Sequence, residues 1–507
     1  MAAIRRIRYV ASAIVHAPES PMRTIIRFLL LSLLGIRASM ASAEPDEIQN
    51  WGPIFDRSFL TLELGQRTEI LGPLVRYEKR ETETGWSVAP LASYRTDPVG
   101  DFTEFDLAYP LLTYDRFGAE YRFQVLQLFS LSGSRSLENE FKHRVTLFPF
   151  YFYQRAPNPD DRYTAVFPFY GRLKGRVMRD EIRFILFPFF LQTRKKDAVT
   201  DNYLFPLFHR RHGEQLNGWQ IWPLGGIERK GTTTKTNQLD EMEILGGHVK
   251  KFVVWPFYFN NKLGIGTDSP QSQQVLLPFY SLQHSPLRDS STYFWPLGFT
   301  YTDDREKKYR EWDFPWPLVV FARGEGKTAN RIWPLFSQAK NSVLQSDFYL
   351  WPLYKYNRAT SEPLDRERTR ILFFLYSDLI EKNTATGTAM QRTDLWPLFT
   401  ARREHNGSER LQILAPLEPL VPNNKGIERN YAPVWSIWRS EKNAKTGHAS
   451  QSLLWNLYRR ETSPTTRKCS LLFGLFNYQS SPEGKRLRLF YLPVWKTPKP
   501  GAAPPRS

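Results

Sequence analysis

The sequence predicts an all-β, antiparallel up-and-down repeat protein, and three observations carry that prediction. A motif of the form W/F-P-L/F-F/Y returns about every 20 residues, a fixed period that marks repeat architecture. The residues around each copy are aromatic and β-branched, and Gly, Asn, Asp, Ser and charge collect between copies, which is strand and turn chemistry. Each copy also carries a central proline, which would break a helix.

In chain order, Met22 opens a segment with Arg23 and Arg27, an apolar stretch Phe28–Ile36 and the small residues Ala41-Ser42-Ala43. That is the layout of a secretory signal peptide cleaved after Ala43, with residues 1–21 as an extension upstream of a start at Met22. Residues 44–495 then form a single repeat body. Weak copies of the motif centre on Pro53, Pro73, Pro90 and Pro110, and Gln127 takes the proline place in the next. The strong run follows with LFPF (Leu147–Phe150), VFPFY (Val166–Tyr170), LFPFF (Leu186–Phe190) and LFPLF (Leu204–Phe208), and ends at DLWPLF (Asp394–Phe399). A wide gap between Pro223 and Pro256 holds an insertion at 225–250. In later copies Phe374, Asn456 and Gly474 replace the proline, while Pro416, Pro433 and Pro493 keep it. Residues 496–507 are a Pro-rich basic tail expected to be disordered.

One strand of about ten residues plus one turn per repeat would give a large outer-membrane β-barrel of about 22 strands. Positions −2, 0, +2 and +4 around the proline, such as Leu350, Pro352, Tyr354 and Tyr356, would then share one apolar face. A proline at mid-strand argues against this, because it removes a ladder hydrogen bond where no water replaces it. The alternative makes the proline a corner, so that each repeat is a hairpin of two short strands in a stacked β-hairpin solenoid. Closure like a propeller is a third arrangement. The barrel is the favoured expectation.

The formal charge is +18, and +13 after removal of residues 1–43, which favours anionic partners over cationic ones. Membrane lipid or lipopolysaccharide is the expected partner, with anionic polysaccharide as the alternative; nucleic acid is not expected. Arg402 and Arg403, Arg210 and Arg211, and Lys195 and Lys196 are basic pairs at strand ends that could meet phosphates. A lone Cys469 excludes a disulfide framework.

Candidate chemistry is thin. Gly324–Thr328 (GEGKT) has Phe321 where a phosphate-binding loop needs glycine, so a hairpin turn is expected. His209 and His212 would face opposite ways on a strand, which makes a metal pair unexpected. Asp240, Glu241 and Glu243 are expected to be a solvated loop. No catalytic, cofactor-binding or metal residue is therefore assigned, and a non-enzymatic envelope protein with a structural or transport role is expected. A periplasmic or surface scaffold that binds polysaccharide or lipid headgroups is the alternative.

Overall fold

The computed structural model describes residues 51, 54–134, 142–236 and 242–497. The predicted signal segment and most of the predicted tail lie outside the described residues, as do Asp240 and Glu241.

Among the described residues, 43 strands form one antiparallel sheet, each paired to its neighbours in the chain. The all-β up-and-down repeat architecture is therefore as expected. Only the hairpin Thr233–Thr236 with Met242–Leu245 stands apart, as a two-stranded sheet inserted between Gly225–Lys230 and Gly247–Val253, which pair with each other.

The barrel expectation is corrected. The first strand, Phe55–Phe59, pairs only with Gly65–Ile70, and the last, Leu492–Lys496, only with Gly484–Leu489, so the ladder does not close. The physical reason lies in the motif. Its proline sits in a turn, so each repeat supplies two strands of about six residues rather than one of ten. Arg179–Ile185, the turn at Pro188, Phe190–Lys195 and Ala198–Tyr203 show the pattern. Such strands span roughly 20 Å along the chain, against the nine to eleven residues that a barrel strand needs to cross a bilayer. Leu350 and Pro352 accordingly belong to a turn, while Tyr354 and Tyr356 lie in the strand that follows it. The segment Lys485–Trp495, expected as one strand, divides into two at Phe490–Tyr491.

Period 2 sorts the side chains onto the two faces. The row beside the proline turns is apolar almost throughout: Val166, Tyr170, Ile185, Phe190, Tyr203, Phe208 and Ile221 are successive cross-strand partners. One residue further in, on the opposite face, the row is largely polar. It begins Asp56, Glu69, Arg76, Ser87, Ser93, Asp106, again as successive partners. All six of those are buried. A small apolar core of Tyr163, Ala165, Leu173 and Phe184 interrupts this face in the middle of the chain.

Candidate functional site

Two features of the sheet have chemistry to offer: the edge made by the proline turns, and the place where the two ends of the sheet meet.

At the proline edge many of the turns are satisfied by their neighbours. Leu186 and Phe187 donate their backbone N–H groups to Phe169 O and Pro168 O of the previous turn, at 2.5 and 2.7 Å. Phe189 donates to Leu186 O within the turn at 2.8 Å, and Pro188 has no N–H. The next turn repeats the set: Leu204 to Phe189 O, Phe205 to Pro188 O, Leu207 to Leu204 O. Leu350, Trp351 and Leu353 do the same against the turn at Pro334. Backbone donors at a sheet edge normally need water; in these turns they need none, whereas the N–H groups of Leu224, Phe279, Leu335 and Leu398 stay open among the described residues.

The side chains of this edge are apolar and uncovered. Phe189 is 62% exposed and Leu350 56%, and Phe148, Phe150, Leu207, Leu224, Phe257, Leu297 and Leu398 are exposed with them. Aromatic residues that precede the prolines touch from turn to turn: Phe187 with Phe167 and Phe205 at 5.3 and 5.8 Å, Trp333 with Trp351 at 6.1 Å. The aromatic stripe therefore forms a packing ladder, with one side of it left open. Where the proline is missing, Leu126 with Gln127 and Leu372 with Phe373 adopt positive φ and the turn keeps its place.

The opposite edge is polar. Asp97, Asn383 and Asn443 each accept two backbone N–H groups of their own turns, as short polar side chains do in turns. The predicted loop Gly324–Thr328 is one of these turns, joining Val319–Gly324 to Thr328–Ile332. A Cβ at Gly326 would lie 1.7 Å from Lys307 O, so close approach of two backbones explains that glycine. Lys327 is engaged with Glu311 and the Tyr309 ring. Lys195, Lys196 and Arg403 also lie at this edge, away from the apolar one. Arg211 pairs with Glu228 at 2.6 Å.

His209 lies in the polar row between Asn202 and Gln220, and His212 pairs with Asp201 at 3.6 Å. The two are not brought together, and among the described residues no group of three His, Cys, Asp or Glu is placed to hold a metal. Cys469 is a free thiol within Arg467–Leu471.

The ends of the sheet meet through their polar faces. Asn456 donates to Glu69 at 2.6 Å, Arg459 pairs with Asp56 at 3.2 Å, and Thr61 bonds Ser450 at 2.7 Å. A short helical segment secures this contact: α1 (Lys425–Asn430) and α2 (Ala432–Trp435), between the strands Glu409–Ile413 and Trp438–Lys442. Asn424 caps α1 by accepting from Ile427 N at 3.0 Å. Arg429 then reaches the first strands, bonding Ser93 at 3.0 Å, Glu104 at 2.5 Å and Asp106. Asn430, fully buried, donates to Asp106 as well. Pro416 keeps the place of a repeat turn, since Leu414 and Ala415 donate to Leu398 O and Pro397 O of the previous turn, whereas Pro433, which resembles a motif proline, lies in α2.

Between the two ends lies a cavity of about 400 Å³, lined by ten basic side chains and seven carboxylates. Burial opposes ionisation of Glu78, but Arg67, Arg76 and Arg80 outweigh it and hold its pKa well below the usual carboxylate range. Glu69 is likewise held low, by Arg439, Arg67, Arg459 and Arg76 against its burial. Burial pushes Asp56 up to about 6 and Arg76 down to about 10, with Arg67 and Arg439 adding to the effect on Arg76. This constellation was beyond sequence reasoning, since its halves lie more than 300 residues apart.

No protein-family model matches the chain, and no curated protein matches it.

Proposed function

We propose that the protein is an exported, non-enzymatic envelope protein that attaches to a lipid surface, the outer membrane in a Gram-negative-type envelope, along its row of proline turns. One observation carries this reading. The edge is apolar on its outside and in large part self-satisfied in its backbone, a combination that water does not require and hydrocarbon favours. An exposed apolar patch of this extent marks an interaction surface. Turn and first row together are roughly 5–10 Å deep, the depth at which interfacial structures sit in one leaflet. The edge therefore enters a monolayer without crossing it, and among the described residues no helix is long and apolar enough to cross either. The predicted signal segment at 22–43 supports export.

Fractionation tests the reading. Membranes are washed with high salt, then alkaline carbonate, then detergent. Retention until detergent is expected, because apolar burial is insensitive to screening. Release by salt would replace it with the second arrangement, a charge-held scaffold on anionic polysaccharide.

A further inference from the structure

We infer that the cavity between the two ends of the sheet is a binding site for a phosphate dianion, free or as a monoester, built around Arg439. The cavity is of a size that holds a small polar ligand. Its basic side chains outnumber its carboxylates, and most of the pairs are already made. Arg67 bonds Glu78 at 2.8 Å, Arg402 bonds Glu404 at 2.6 Å, and Arg410 lies 3.4 Å from both Glu428 and Glu441. Among the cavity's guanidinium groups Arg439 is the exception. It comes from the polar row of Trp438–Lys442, lines the cavity, and makes no hydrogen bond and no ion pair with any described residue. Arg76, 7% exposed, lines the same cavity with its Nε unbonded. Arg76 donates its Nη2 to Arg429 O at 2.8 Å, so the donors left open are its Nε and the guanidinium of part-buried Arg439, and an oxyanion that takes their hydrogen bonds offsets the cost of burying them.

The charge of the ligand follows from the neighbours. Burial lowers the pKa of Arg439 and repulsion from Arg67 and Arg459 adds to it, against Glu69 and Glu441; Arg67 and Arg439 likewise repel Arg76. One carboxylate would leave that repulsion partly uncompensated, whereas a phosphate dianion presents two charges and several acceptors to donors from different strands. Exposed Lys425, the first residue of α1, stands at the lining and can contribute a further charge.

The chemistry fits free phosphate or the headgroup of a phosphatidic lipid, and titration calorimetry on the full chain in non-ionic detergent separates the two. The probes are inorganic phosphate and dihexanoyl phosphatidic acid, at ionic strength held constant with chloride. Saturable binding of phosphate assigns a free anion; binding of the lipid alone assigns a headgroup. Arg439→Gln is expected to weaken either by at least about tenfold. Lys425→Gln, at an exposed position that makes no ion pair with a described residue, is expected to weaken it a few-fold. Arg403→Gln, at the polar edge, is expected to leave it unchanged. Absence of saturable binding by both probes overturns the inference, as does equal affinity in wild type and both cavity variants.

Discussion

At the scale of the residue, polar groups on the inner face stand out, and Asp313 is the sharpest case. It is 3% exposed, its Oδ1 has no hydrogen-bond partner, and burial with Glu311 nearby pushes its pKa up to about 7, against Lys327 and Arg331. The unfolded value is 3.8. Between those values the folded state holds the proton that the unfolded state releases, so stability falls as pH rises from about 4 to about 7. At pH 8 the ionised group therefore works against the fold. Asp313→Asn is expected to raise stability there by about 2 kcal/mol, roughly half of what the full displacement implies at 1.36 kcal/mol per unit. The gain should vanish near pH 4. Urea unfolding of both proteins across that range measures it, and a variant that is less stable at pH 8 would refute the assignment. Nothing in the sequence singles out Asp313, since its burial depends on which face of Tyr309–Asp313 turns inward. The proline motif, by contrast, was plain in the sequence. What the sequence left open was whether each proline lies within a strand or between two. A 20-residue period accommodates either one long strand and a long turn or two short strands and two short turns. The hydrogen bonds that decide, such as Phe187 N to Pro168 O, join residues of different repeats.

At the scale of the element, the segment α1–α2 is the departure from the repeat that holds the ends of the sheet together. Its legibility was poor for a specific reason: Pro433 continues the approximate spacing of the motif and so resembles a further copy. The local signal was present in Asn424, an N-cap residue followed by Lys425–Asn430 without β-branching except Ile427. Arg429 is the residue on which this element depends, because it satisfies Ser93, Glu104 and Asp106 together. Arg429→Met would remove the cation shared by Glu104 and buried Asp106, leaving Glu104 with Arg95 and Asp106 with Ser93 and Asn430, and is expected to cost about 2 kcal/mol, below the range for a buried charge left without partners. Arg183→Met provides the comparison. Its partner Glu181 keeps Arg172 at 2.6 Å and Arg183 itself is half exposed, so a loss below about 1 kcal/mol is expected. Chemical denaturation of the two variants gives the ratio. Equal losses would mean that the ends of the sheet are held by something other than this ionic contact.

At the scale of the whole described body, the two edges of the sheet are chemically opposite, and that contrast supports the lipid-surface reading. Apolar turns gather on one edge because every repeat places its proline turn there; polar turns fall on the other because strands alternate direction. A sequence with a 20-residue period shows both kinds of turn but not that each kind keeps to one edge, which only the two-strand repeat enforces. Changing the edge without touching the fold separates attachment from stability. Phe189→Asp, Leu207→Asp and Leu353→Asp alter side chains that are exposed at the proline edge, so each should change unfolding free energy by no more than about 0.5 kcal/mol. Combined, they put three charges where the reading requires hydrocarbon, and flotation with phosphatidylcholine–phosphatidylglycerol vesicles is expected to fall at least about tenfold. Val177→Asp with Met178→Asp is the control. Both are apolar and highly exposed, but they sit in a turn of the polar edge at positive φ, which Asp tolerates, so vesicle binding should be unchanged. If the triple variant floats as well as the wild type, the proline edge is not the attachment surface. If the control loses binding as strongly, hydrophobicity in general and not this edge governs it. Loss confined to the triple variant is the outcome that a monolayer-inserted edge predicts.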